Sequence, residues 1–217
     1  MDDKAQLRII DITGQLPMNP RQPRIPLRTV APTMIVWHCD AALNWTVHDL
    51  VRYDLAPNHI SPKGCPCPTY QYYVTRDGKL YKIAQEAWVT WHAGVSWLQR
   101  KLHGLPDYNQ IGLAICFAHD PSKEREGLTT EQMETGFLLT AEITLRRDIQ
   151  SSAVKGHREL PITGYAWGHP EKLRKTCPGL DVDMDAARKQ VHQLKLEVLR
   201  KDLVIEVVYG GKHTVHG

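Results

Sequence analysis

At 217 residues, with 42% hydrophobic and 24% charged residues, the chain suits one globular domain and argues against wholesale disorder. A formal charge of +3, without a dense Lys/Arg run interleaved with aromatics, argues against a nucleic-acid surface and leaves a mild attraction to anionic polymers. There is no run of about 18 apolar residues to insert in a membrane, and the polar opening Met1-Asp2-Asp3-Lys4 lacks the apolar core of a secretory signal.

A product made in the cytoplasm is therefore expected, its five cysteines being free thiols or metal ligands rather than bridges. Pro17, Pro20, Pro23, Pro26 and Pro32 mark an irregular stretch, so residues 1–31 read as a Pro-rich arm. The apolar run from Met34 to His38 predicts a buried strand ending at His38. Thr46 and Asp49 cap a helix through Leu50, Val51 and Tyr53. The loop from Ala56 to Pro68 carries Cys65 and Cys67, too few ligands for a second metal and better read as loop thiols. Tyr70–Arg76 and Lys79–Ile83 form a hairpin turning at Asp77-Gly78. Ile111–Phe117 is a second buried strand.

Thr129 and Gln132 make a capping box. Met133, Phe137, Ala141 and Leu145 follow at four-residue spacing and mark one helix face. A last helix covers Asp183 to about Lys201, and residues 201–217 read as a loose C-terminal tail. Alternating strands and helices predict an α/β fold: a single domain over residues 32–200, with a central mixed β-sheet flanked by helices. Its functional site belongs in a surface groove where strand ends and loops converge.

Four short signals carry chemistry: Trp37-His38-Cys39, Trp91-His92-Ala93-Gly94, Gly156-His157-Arg158-Glu159 and Lys175-Thr176-Cys177-Pro178-Gly179. Strand alternation puts His38 on the face of Val36 and turns Cys39 away, so Cys39 reads as core. Pro178 biases Cys177 toward an extended conformation, and an extended Lys175 then projects from the same side of the chain. Two imidazoles and one thiolate would give zinc three protein ligands and leave a fourth position open.

In this order the four signals resemble the N-acetylmuramoyl-L-alanine amidases of the phage amidase-type lysozymes and their relatives, the peptidoglycan recognition proteins. The resemblance spans about Pro32 to Leu194. It implies one zinc ion (Zn2+) per chain on His38, His157 and Cys177, with Tyr70 and Lys175 catalytic. It also places His92 and Asn109 in the substrate groove, where Trp91 offers a face for a sugar ring. The 157–177 stretch is longer than in compact phage members and holds His169, a rival ligand ranked below His157. The branch that uses a Glu in the strand after Asn109 is not matched, because the run reads Leu113-Ala114-Ile115-Cys116; Tyr/Lys chemistry is preferred.

The implied activity is hydrolysis of the amide between N-acetylmuramic acid and L-alanine in bacterial peptidoglycan, by a monomeric endolysin that reaches the wall after release from the producing cell. A cytosolic muropeptide-recycling amidase and a non-catalytic recognition or attachment module are the alternatives. The presence of Cys177 argues against the last.

Overall fold

Two six-residue runs, Met34–Cys39 and Gly112–Phe117, bury every side chain, and they pair in parallel as strands β2 and β5. Strands covered on both faces are apolar throughout rather than alternating, which is why these two stood out in the sequence. The computed structural model describes residues 6–42, 45–95, 97–121, 127–161, 176–179, 181–200 and 204–210. Within them the sheet also contains β1 (Gln6–Asp11), β3 (Tyr72–Val74), β4 (Leu80–Lys82), β6 (Val154–Gly156) and β7 (Val204–Tyr209), in the order β6-β2-β5-β3-β4-β1-β7. The β3–β4 hairpin is antiparallel and the other described pairings are parallel, so the sheet is mixed.

Helices cover both faces. Helix α1 (Val47–Leu55) buries Val47, Leu50 and Val51 against Tyr73 and Cys116, and its Thr46/Asp49 capping box forms. Helices α4 (Thr130–Arg146) and α5 (Met184–Arg200) cover the opposite face, where Ile35, Trp37, Ile115 and Phe117 meet Leu139, Ile143 and Val191. Full burial of each such side chain is worth about 1.5–3 kcal/mol. Trp37 also donates from Nε1 to Thr140 Oγ1 at 3.0 Å, so its one polar atom is satisfied. Two short helices, α2 (Trp97–His103) and α3 (Tyr108–Ile111), lead into β5.

The structure differs from the sequence reading in three places. Residues 6–11 and 204–209, assigned to an arm and a tail, are strands that pair with each other from Gln6↔Val204 to Asp11↔Tyr209. Gln6–Asp11 alternates exposed and buried side chains, a half-buried strand, and the second run is rich in β-branched residues but leaves its described side chains mostly exposed, as an edge strand. Residues 17–33 do run without helix or strand, tied down by an isolated bridge between Leu27 and Trp88. On α4 the buried positions are Gln132, Gly136, Leu139, Thr140, Ala141, Glu142, Ile143 and Thr144, so Ala141 of the expected face is core, while Met133, Phe137 and Leu145 are half-buried. The stripe at 133 and 137 faces the groove shared with Ala186 and Ala187 of α5, because α4 packs on a helix as well as on the sheet.

Glu86, in the segment after β4, ties that segment to the end of α4. Its carboxylate accepts from Tyr72 Oη at 2.7 Å, Arg146 at 2.8 Å and Arg147 Nε at 3.0 Å. Burial alone would raise its pKa, but hydrogen bonds from Arg146 and Tyr72 bring it down to about 2. A folded-state value below the unfolded one gives stability that is present above about pH 4.5 and lost as the pH falls toward 2. Glu86→Gln is therefore expected to lower stability at pH 7 by about 2 kcal/mol, discounted for half-exposed arginines, and to leave it little changed near pH 2. Urea unfolding at the two pH values checks both halves.

Candidate active site and metal centre

The register of β6 on β2 builds the first half of the site. Ile35 pairs with Val154 and Trp37 with Gly156, so the next residues, His38 and His157, emerge side by side at the carboxyl ends of neighbouring parallel strands. Adjacent strands lie about 4.8 Å apart, and the two imidazole centroids are 4.4 Å apart. In parallel sheets this edge is the usual place for ligand sites.

Cys177 is brought in by the residues around His157. Gly156 lets the chain at Pro178 approach: a Cβ at 156 would lie 3.0 Å from Pro178 Cδ and 3.3 Å from Met184 Cγ. Arg158 N–H donates to the Cys177 carbonyl at 3.1 Å, and the Arg158 guanidinium donates to the carbonyls of Gly179 and Val182. Glu159 accepts from Gly156 N–H at 2.8 Å and pairs with Arg188 of α5 at 2.9 Å. All four residues of Gly-His-Arg-Glu thus hold the turn that carries Cys177. Cys177 Sγ lies 3.4 Å from His157 Nδ1.

The donor atoms of His38, His157 and Cys177 all lie within 4.8 Å of one another, and no second such group occurs among the described residues. Cys65 and Cys67 are buried free thiols. Hydrogen bonds from Cys39, His157 and His38 hold the Cys177 thiol far below the ordinary thiol range, against the opposing effect of burial. Cys39 is buried in the core, as expected, and it also lines the groove rather than turning fully away from it. Cys39 is the last residue of its strand, where alternation no longer fixes direction.

His157 and Cys177 line a groove of about 690 Å³, and His38, buried, packs against His157. Tyr70, Trp91, His92 and Asn109 also line the groove. The Tyr70 ring centroid is 5.1 Å from that of His38, and burial pushes the phenol well above its usual pKa, so it stays protonated. His38 Nε2 is 3.0 Å from His92 Nδ1. Burial, then the neighbouring His38 and His157, push His92 well below its usual value. Lys175 and the rival His169 lie outside the described residues.

Sequence reasoning missed the carboxylates of the groove, Asp40, Asp54 and Asp120. Asp54 carried a signal: it follows Val47, Leu50 and Val51 on the buried face of α1. It accepts from Thr69 N–H at 2.9 Å and Thr69 Oγ1 at 2.6 Å, yet burial outweighs both and pushes its pKa up to about 7. Asp40 is better supplied, accepting from the backbone of Ala42 and His119 and from Tyr73 Oη.

A carboxyl raised in the folded state favours folding most below its unfolded pKa, and that advantage is lost as the pH rises through about 7. Asp54→Asn keeps the acceptor for Thr69 without the charge. Relative to wild type it is expected to gain about 3 to 4 kcal/mol of stability above pH 8, less than that at pH 6, and nothing below pH 4. Thermal melts across that range measure it.

Comparison with known proteins agrees with this geometry. The family model described as N-acetylmuramoyl-L-alanine amidase matches residues 28–180. Among solved structures, the endolysin amidase LysCS from Clostridium intestinale URNW is 18% identical with a TM-score of 0.60, covering 85% of this chain and 95% of its own. The Ph2119 endolysin from Thermus scotoductus MAT2119 bacteriophage Ph2119 is 16% identical with a TM-score of 0.55, covering 85% and 99%. Drosophila PGRP-LB is 15% identical with a TM-score of 0.51, covering 72% and 86%. At these identities the likeness is one of fold. No curated protein matches the chain by sequence. With more than half its length matched by the family model, and with its fold shared by these structures, the chain belongs to the N-acetylmuramoyl-L-alanine amidase family, which takes in the peptidoglycan recognition proteins.

Proposed function

We propose that this protein is a zinc-dependent amidase that cuts the amide between N-acetylmuramic acid and the L-alanine of the stem peptide in peptidoglycan. The observation that carries the reading is the convergence of His38, His157 and Cys177 within 4.8 Å, with His157 and Cys177 lining an open groove. Two imidazoles and a thiolate are a donor set suited to zinc, and three protein ligands leave a position for chemistry. Bound there, zinc supplies the Lewis acidity that activates water near neutral pH and polarises a carbonyl.

The remaining roles fall to the chain's own side chains. Tyr70, protonated beside His38, donates a hydrogen bond toward the carbonyl oxygen as it gains negative charge. Lys175, two residues before Cys177, is read as a second donor to that oxygen on the strength of its motif. Trp91, half-buried on the groove wall, offers its face to a sugar ring, and Asn109 borders the path of the stem peptide. We read the setting as that of a monomeric endolysin acting on the wall after release. The support is that the chain covers 95% and 99% of two endolysins of the same fold.

Three measurements test the proposal. Elemental analysis is expected to find one zinc per chain in the wild type and none in Cys177→Ala, which should also be inactive; full zinc occupancy in that variant sinks the ligand assignment. Mass spectrometry of digested peptidoglycan should show free L-alanine amino termini on intact glycan strands, whereas new reducing sugar ends would overturn the bond assignment. Tyr70→Phe should keep its zinc and lose about 100- to 1000-fold in turnover, the usual cost of one oxyanion donor.

A further inference from the structure

Resting on the metal reading above, we infer that His92 is a positioning residue, which holds the His38 imidazole in the one tautomer and orientation that present a lone pair to the metal, rather than a contact for substrate. The two rings meet edge to face, 87° apart with centroids at 5.1 Å, and His38 Nε2 lies 3.0 Å from His92 Nδ1. One proton lies between those nitrogens. When it belongs to His38 Nε2, the other nitrogen of His38, Nδ1, carries a lone pair. When it belongs to His92 Nδ1, a neutral His38 must keep its proton on Nδ1, which then cannot ligate. A hydrogen bond on the second nitrogen is the general device by which a metal-binding imidazole is aimed and its tautomer chosen.

The surroundings hold His92 in this relation. It is only 6% exposed, so it offers substrate little surface. The amide of the next residue, Ala93, donates to Asn109 Oδ1 at 2.7 Å. The Arg28 guanidinium donates to the carbonyls of Glu86, Asn109 and Gly112 at 2.7, 2.8 and 2.6 Å, tying the segment before Trp91 to the start of β5. Gly112 leaves room for the ring, since a Cβ there would lie 3.1 Å from His92 Cε1 and 3.3 Å from Nε2. Gly112 thus sets the room for the His92 ring, while Asn109 and Arg28 tie down the backbone beside it.

The test uses the full chain and two variants. His92→Phe fills the space without an acceptor, and His92→Gln offers an amide oxygen in its place. Zinc affinity, measured by competition with a chelator, is expected to fall about 10- to 100-fold in His92→Phe and to recover most of that loss in His92→Gln. Nitrogen-15 imidazole spectra of the metal-free chain should show His38 protonated on Nε2 in the wild type and as mixed tautomers in His92→Phe. A substrate-contact role predicts a raised KM in zinc-saturated variants with zinc affinity untouched. Zinc affinity within twofold of wild type and an unchanged His38 tautomer in His92→Phe would overturn the inference. A wild type that binds no zinc, yet shows the His92-dependent tautomer, supports the positioning of His38 and removes the metal reading alone.

Discussion

The pairing of β2 with β6 sets Trp37 opposite Gly156, and this register governs what the carboxyl edge of the sheet can do. Side chains alternate along a strand, so a slip of one residue would send His157 to the face occupied by α4 and α5 and leave His38 without its neighbour. Register is enforced by burial rather than by the site itself. Ile35, Trp37 and Val154 are wholly enclosed on the helix-covered face, and Trp37 adds a directional bond to Thr140. The apolar side of the sheet thus positions the polar side.

Around this edge, polar groups are enclosed in a way that leaves them few arrangements. Asp40 is held by three donors, Asp54 by two from Thr69, and Cys177 by the turn that Arg158 clamps. Satisfied networks of this kind rigidify, because any rotation strands a buried polar atom. A site proposed to hold a small ion among three side chains would gain from such rigidity, since ligand atoms displaced by a fraction of an ångström no longer converge.

Much of this was legible in the sequence for identifiable reasons. β2 and β5 announced themselves as unbroken apolar runs, and both capping boxes as Thr-x-x-Asp/Gln patterns. The motifs around His38, His157 and Cys177 mark them in the sequence by resemblance to a family; that they converge requires the sheet register, which no local pattern encodes. β1 and β7 were overlooked although they are as long as β2 and β5, because β1 is only half-buried, β7 is mostly exposed, and the prolines and glycines nearby suggested irregular chain. Cys39 was rightly read as buried, and its share in the groove wall depends on the fold around the strand end. The carboxylates Asp40 and Asp120 come from turns whose course depends on the whole fold, while Asp54 was readable as an acid on an apolar helix face.

The position of β1 between β4 and β7 has a bearing on how the chain is made. β1 belongs to the first described residues and β7 to the last, so their ladder closes a loop nearly as long as the whole chain. Contacts of such separation slow folding, since the entropy of closure is lost before the pairing returns anything. Synthesis proceeds from the amino end at about 5–20 residues per second. The strands and turns that form the groove are therefore complete on the ribosome while the outer edge of β1 still lacks its partner. During that interval the open edge is available to other nascent chains. The pairing longest delayed is thus at the edge of the sheet opposite β6 and β2, where the candidate ligands sit.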